Sequence, residues 1–186
     1  MKALIIYWSG TGNTEKVAKA IQRGLNKKGV KPVVKRIEEA KGENLFDYDI
    51  VFLGSPTYMW LPAEPVIEFI KEKMKEYGKR GLIRPCSPKI PGKNAVVFCT
   101  YSGPHTGIDE AIPAMKFMRQ FFEHLGFDVR EEWYVVGEFH GNELYSTKGK
   151  LGDIRGRPNS QDLTMIENDT VKLISNLRAQ YSERGR

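Results

Sequence analysis

Tyr7-Trp8-Ser9-Gly10-Thr11-Gly12-Asn13-Thr14 is the stretch on which the reading of this chain turns. An apolar run, Ala3-Leu4-Ile5-Ile6, precedes it, and Glu15-Lys16-Val17-Ala18-Lys19-Ala20-Ile21 opens a helical pattern behind it. The order is strand, tight polar loop, helix. Gly10 and Gly12 let the backbone turn sharply and approach a ligand closely. Ser9, Thr11 and Thr14 supply hydroxyls and Asn13 an amide, beside the free N–H groups of a helix start. Such a junction suits an anion, above all a phosphate.

The spacing narrows which phosphate. A P-loop has four residues between its glycines and then Gly-Lys-Ser/Thr. Here one residue separates Gly10 from Gly12 and no such lysine follows. A dinucleotide fingerprint needs a third glycine where Glu15 stands. What remains is a pocket of hydroxyls and amides for a compact terminal monophosphate. After an apolar strand, the run from Tyr7 to Glu15 resembles the phosphate loop of the flavodoxins, which bind FMN.

Composition bounds the rest. A chain of 186 residues fits one domain with a full core, here taken as 1–186. It is 40% hydrophobic and 28% charged, an ordinary globular balance. No apolar run approaches the roughly 20 residues of a membrane span, and the N-terminus lacks signal-peptide architecture. Cys86 and Cys99 are too few for a structural zinc site or a four-cysteine cluster. No two histidines have metal-ligand spacing, so no metal is expected. A cytoplasmic, reduced protein is the natural reading. The net charge of +6 departs from the resemblance, since flavodoxins that act as carriers are usually acidic. Opposite signs alternate in stretches such as 71–76, so the charge reads as a solvated surface and no nucleic acid is expected.

Along the chain, strands are expected at 2–8, 32–37, 49–54, 94–100 and 129–136. Helices are expected at 13–28, 64–77, 109–125 and 161–182, with a short one possible in 38–47. Residues 78–93 are a connector, and 137–158 form a long glycine-rich loop suited to a lid or a dimer contact. This alternation implies a parallel α/β sheet with helices on both faces. The resemblance implies a flavodoxin-like three-layer sandwich of five parallel strands in the order 2-1-3-4-5. Ligands in such sheets sit at the carboxyl ends of the strands, where the loops after strands one, three and four lie.

The second loop, 55–62, places Tyr58, Met59, Trp60 and Leu61 where water should reach, so they need a cover. A flat heterocycle stacking on Tyr58 or Trp60 supplies one. The third loop, 101–107, offers Tyr101 for the opposite face and backbone groups around Ser102, Gly103 and Gly107. The candidate cofactor-binding residues are Ser9, Gly10, Thr11, Gly12, Asn13 and Thr14, then Pro56, Thr57, Tyr58, Met59 and Trp60, then Thr100, Tyr101, Ser102, Gly103 and Gly107. The resemblance implies one departure. Flavodoxins that stabilise a one-electron-reduced flavin usually carry a glycine in the second loop, and here none lies between Ser55 and Leu61. Two-electron traffic is expected to be favoured.

His105, close to where the flavin should lie, reads as a solvent-facing loop group, with donation to the flavin or a substrate as the alternative. His124 sits near a helix end, where a cation suits the dipole. His140 carries no evident signal, and Cys99 reads as a buried strand thiol. Arg155 and Arg157 read as a basic surface loop, with a phosphate or an acidic partner as the alternative. No essential general acid or base is expected. The functional expectation is an FMN-binding electron-transfer protein, with an NAD(P)H-dependent FMN reductase or quinone reductase as the alternative. Its partners would be a redox protein or NAD(P)H, with a homodimer possible.

Overall fold

The computed structural model describes residues 1–184. Strand β1 (Ala3–Tyr7) is buried along its whole length. It lies at the centre of a sheet with β2 (Val33–Arg36), β3 (Ile50–Tyr58), β5 (Asn94–Tyr101) and β6 (Asp128–Val136). The order is β2-β1-β3-β5-β6, and every pairing in that path is parallel. With the small strand β4 (Leu61–Pro62) set aside, this is the expected 2-1-3-4-5 arrangement. The more polar strand, β2, is an edge, where its Lys35 and Arg36 reach solvent.

Side chains alternate across the sheet. Leu4, Ile6, Val51, Leu53 and Val97 face helices α2 (Glu64–Lys79) and α3 (Ile112–His124), packing on Val66, Phe69, Met115 and Phe122. Ile5, Phe52, Val96 and Phe98 face α1 (Asn13–Lys27) and α5 (Ser160–Arg184), packing on Val17, Ile21, Ile174 and Leu177. Both faces are covered, which is why the central strands read as unbroken apolar runs. Helix α1 stops at Gly29, whose φ of 68 lets Val30 N–H return to the Leu25 carbonyl at 3.0 Å.

Several expected boundaries move. The second loop is largely strand: β3 runs on through Ser55 and Pro56, opposite Cys99 and Thr100, then forms a hairpin with β4. The 38–47 stretch holds two 3₁₀ turns, Ile37–Glu39 and Leu45–Asp47. Buried Lys73 ties this stretch to α2 by donating to the carbonyls of Lys41 and Glu43 at 2.8 and 2.7 Å. The helix expected from 109 is a 3₁₀ turn, Gly107–Glu110, then α3, with Pro113 in its first turn. Residues 137–158 are more ordered than a plain loop and contain a short helix, α4 (Glu143–Thr147).

Candidate functional site

The site is built at the carboxyl end of the sheet. Gly12 takes φ 92 at the start of α1, a left-handed value that favours glycine. The Ser9 hydroxyl accepts from Gly12 N–H at 3.1 Å and Glu15 N–H at 3.3 Å. The N–H groups of Thr11, Asn13 and Thr14 then have no protein acceptor among the described residues. They border a cavity of about 270 Å³ lined also by Ser9, Gly10, Pro56, Thr57, Tyr58 and Thr100.

Glu15 does not oppose an anion there. Its carboxylate binds Lys19 at 2.6 Å and lies 3.7 Å from Arg36, and the Lys19 contact holds its pKa below the usual range. Arg36 also donates to the Ser9 carbonyl at 3.2 Å, bracing the loop from β2. Gly10 leaves room for neighbours: a Cβ there would lie 3.0 Å from the Trp8 ring and 3.1 Å from the Tyr58 hydroxyl. Trp8 meets Tyr58 edge-on, with ring centroids 6.0 Å apart.

The β3–β4 hairpin turns at Met59 and Trp60, both at positive φ, 45 and 67. A two-residue type I′ hairpin requires this conformation at both central positions, where Asn-Gly is the usual choice. Tyr58, Met59, Trp60 and Leu61 are exposed at 46%, 81%, 56% and 47%, which makes an apolar rim. Across from it, Tyr101 is buried and Gly103, at φ 48, is approached by the Gly107 backbone. The Glu110 carboxylate accepts the N–H groups of His105 and Thr106, both at 2.7 Å, which fixes the third loop. A second cavity of about 490 Å³ lies between the rim and this loop, lined by Thr57, Tyr58, Met59, Trp60, Tyr101, Ser102 and Gly103. Burial raises the pKa of Tyr58 and of Tyr101, so both stay protonated phenols at neutral pH.

The sequence-derived residues are therefore together, with four adjustments. Gly12 and Gly107 shape the backbone and line neither cavity. The Thr14 hydroxyl is not free, because it pairs with the Thr100 hydroxyl at 2.8 Å in a buried contact. The Asn13 amide nitrogen is also spent, donating to the Glu138 carbonyl at 3.1 Å. Ser9 serves the helix start.

Sequence reasoning missed a fourth wall. Gly137, Glu138, Phe139, His140 and Gly141 line the first cavity, and Phe139 and Tyr145 line the second. The available signal was an aromatic bracketed by glycines, Gly137-Glu138-Phe139-His140-Gly141, in the long loop. His105, which the sequence puts near the expected flavin, lines the second cavity, and His140, which carried no signal, lines the first. Arg155 and Arg157 are engaged within the chain. Arg155 grips Asp153 at 2.6 Å, and Arg157 grips Asp162 with bonds of 2.5 and 2.6 Å. Among the described residues no acidic, histidine or cysteine cluster could hold a metal. Cys99 is fully buried, which pushes its thiol up to about 12.

A protein-family model for flavodoxin matches residues 5–163. The chain belongs to the flavodoxin family. It is 30% identical over 140 residues to a flavodoxin of Aquifex aeolicus, covering 74% of this chain and 69% of the relative. It is 27% identical over 169 residues to an NAD(P)H dehydrogenase (quinone) of Archaeoglobus fulgidus, covering 75% and 83%. The fold matches oxidised flavodoxin 2 from Bacillus cereus with a TM-score of 0.66, at 20% identity, over 95% of this chain and 99% of that one. FMN is the cofactor of this flavodoxin, and electron transfer its activity. The residues present fit that group. The first loop offers unpaired N–H groups to a phosphate, and buried Asn13 Oδ1, an acceptor without a partner at the same cavity, suits a hydroxyl of the cofactor's ribityl chain. Among the described residues no helix is long and apolar enough to cross a membrane.

Proposed function

We propose that this flavodoxin is an electron carrier that docks its redox partner on the Met59-Trp60-Leu61 edge. The observation that carries the reading is this edge of the apolar rim, with Met59 the most exposed at 81%, at the mouth of the cofactor site. Bound FMN supplies the reversible uptake and release of electrons. The chain holds and orients it. The N–H groups of Thr11, Asn13 and Thr14 take the phosphate, and Tyr58, Trp60 and Tyr101 shape the aromatic slot for the ring. Pro56, Thr57, Thr100, Ser102 and Gly103 complete the walls.

The cavity chemistry supports a protein partner over a nucleotide. No lysine or arginine lines either cavity among the described residues, so a nucleotide pyrophosphate finds no cation there. Arg155 and Arg157 are committed to their carboxylates. Two unbridged cysteines, one of them exposed, support a reducing, cytoplasmic setting.

A second reading, an NAD(P)H-dependent quinone reductase, is favoured by the turn. Met59 and Trp60 hold left-handed conformations without a glycine. A backbone rearrangement beside the ring is then costly, and two-electron traffic gains. An anaerobic titration separates the two. FMN-loaded, desalted protein should keep its visible band in NADPH and lose it in dithionite. Rapid bleaching by NADPH would overturn the carrier in favour of the reductase.

A further inference from the structure

The long segment before α5 is bonded to the first and third loops of the site, and nothing in the three-loop description uses it. Gly137 N–H donates to the Tyr101 carbonyl at 2.8 Å. Asn13 of the first loop donates to the Glu138 carbonyl at 3.1 Å, and a Cβ on Gly137 would lie 3.0 Å from that same amide. At the far end Lys150 N–H donates to the Pro104 carbonyl at 2.8 Å. The segment is thus a strap tied at both ends to the loops around the cofactor.

Phe139 sits where this strap matters. It lines both the phosphate-side cavity and the aromatic slot, the one strap residue to do so. Its position is set by its own neighbours. Buried Ser146 accepts from Phe139 N–H at 2.9 Å and donates back to the Phe139 carbonyl at 3.1 Å. Tyr145 meets the Phe139 ring edge-on at 5.4 Å and the His105 ring at 5.3 Å. The Glu138 carboxylate accepts from Gly156 N–H at 2.8 Å, which occupies its charge.

We propose that Phe139 is a cofactor-contacting residue and that the strap is a clamp that retains FMN, latched to the phosphate loop through Asn13. This rests on the FMN site as assigned above. Release of the cofactor then requires the strap to let go. The clamp adds aromatic area at the junction of phosphate and ring, where the three loops leave a side open.

The test follows the return of flavin fluorescence as FMN leaves the loaded protein. Phe139→Ala should raise the dissociation rate about tenfold, and Phe139→Leu should recover part of that loss. Ser146→Ala, outside both cavities, should also speed release by freeing the Phe139 backbone. The apoprotein melting temperature of Phe139→Ala should stay near wild type. In wild type, FMN should slow tryptic cutting at exposed Lys148 and Lys150 on the strap, and in Phe139→Ala it should not. Wild-type release rates in both Phe139→Ala and Ser146→Ala would overturn the clamp. Failure of the wild type itself to retain FMN would instead overturn the site assignment beneath it.

Discussion

Thr14 shows how a residue legible in the sequence changes meaning in the fold. Its hydroxyl reads as a phosphate donor, yet it is shared with Thr100 at 2.8 Å across the first and third loops. Thr14→Ala removes that buried partner as well as any bond to the phosphate. FMN affinity should fall by about 1–3 kcal/mol, the cost of a lost hydrogen bond to a charged group. Fluorescence titration measures it, and an unchanged affinity would sink a phosphate role for the hydroxyl, leaving the Thr14 N–H as the donor. Met59 carries the opposite lesson. Its type gives no hint of φ 45, which a two-residue hairpin imposes. Met59→Gly should relieve part of the left-handed penalty, about 1–2 kcal/mol before the entropy cost of glycine. A raised apoprotein melting temperature is the expected outcome, and a lowered one would show that the turn is unstrained. Asn13 was legible as a site residue, but its partner, Glu138, lies far along the chain and no local pattern marks it.

At the scale of elements, the join between α3 and β6 rests on Glu132. Burial pushes its pKa up, but hydrogen bonds from Lys116, Tyr134 and Arg119 outweigh that and leave it below the usual carboxylate value. A depressed folded pKa gives stability that is present above the unfolded value and is lost as pH falls through the folded one. Glu132→Gln should therefore lower the melting temperature at pH 7 and matter less and less as the medium is acidified below pH ~4. Melts of both proteins across that range check it, and a constant difference would exclude the charge as the cause. The sequence located β1, β2, α1, α2 and α5 to within a few residues, because the helices bury one face at a regular repeat and β1 is an unbroken apolar run. It missed the β3–β4 hairpin, whose Ser55 and Pro56 look like loop residues and become strand only opposite Cys99 and Thr100.

The whole molecule carries a net charge of +6, unlike the acidic carriers it resembles. Long-range attraction or repulsion between proteins is screened beyond about 10 Å at 0.1 M salt. Electron transfer from the reduced protein to cytochrome c, itself basic, should accelerate as sodium chloride is raised. Stopped-flow rates read this, and a rate that falls with salt would mean that an acidic patch governs docking. The sequence by itself determined the parallel sheet and the strand-loop-helix junction at its first turn, because these follow from local signals: apolar runs, a helix start and two glycines within 15 residues of the N-terminus, while the strand order came with the resemblance. It also determined the aromatic character of the rim. Only the tertiary structure decided that Arg155 and Arg157 are spent on Asp153 and Asp162, and that Phe139 walls the site. It alone joined Asn13 to Glu138, 125 positions apart. Those facts depend on which segments meet across the top of the sheet. A contact between distant segments leaves no period in the chain, whereas a strand or helix writes its own.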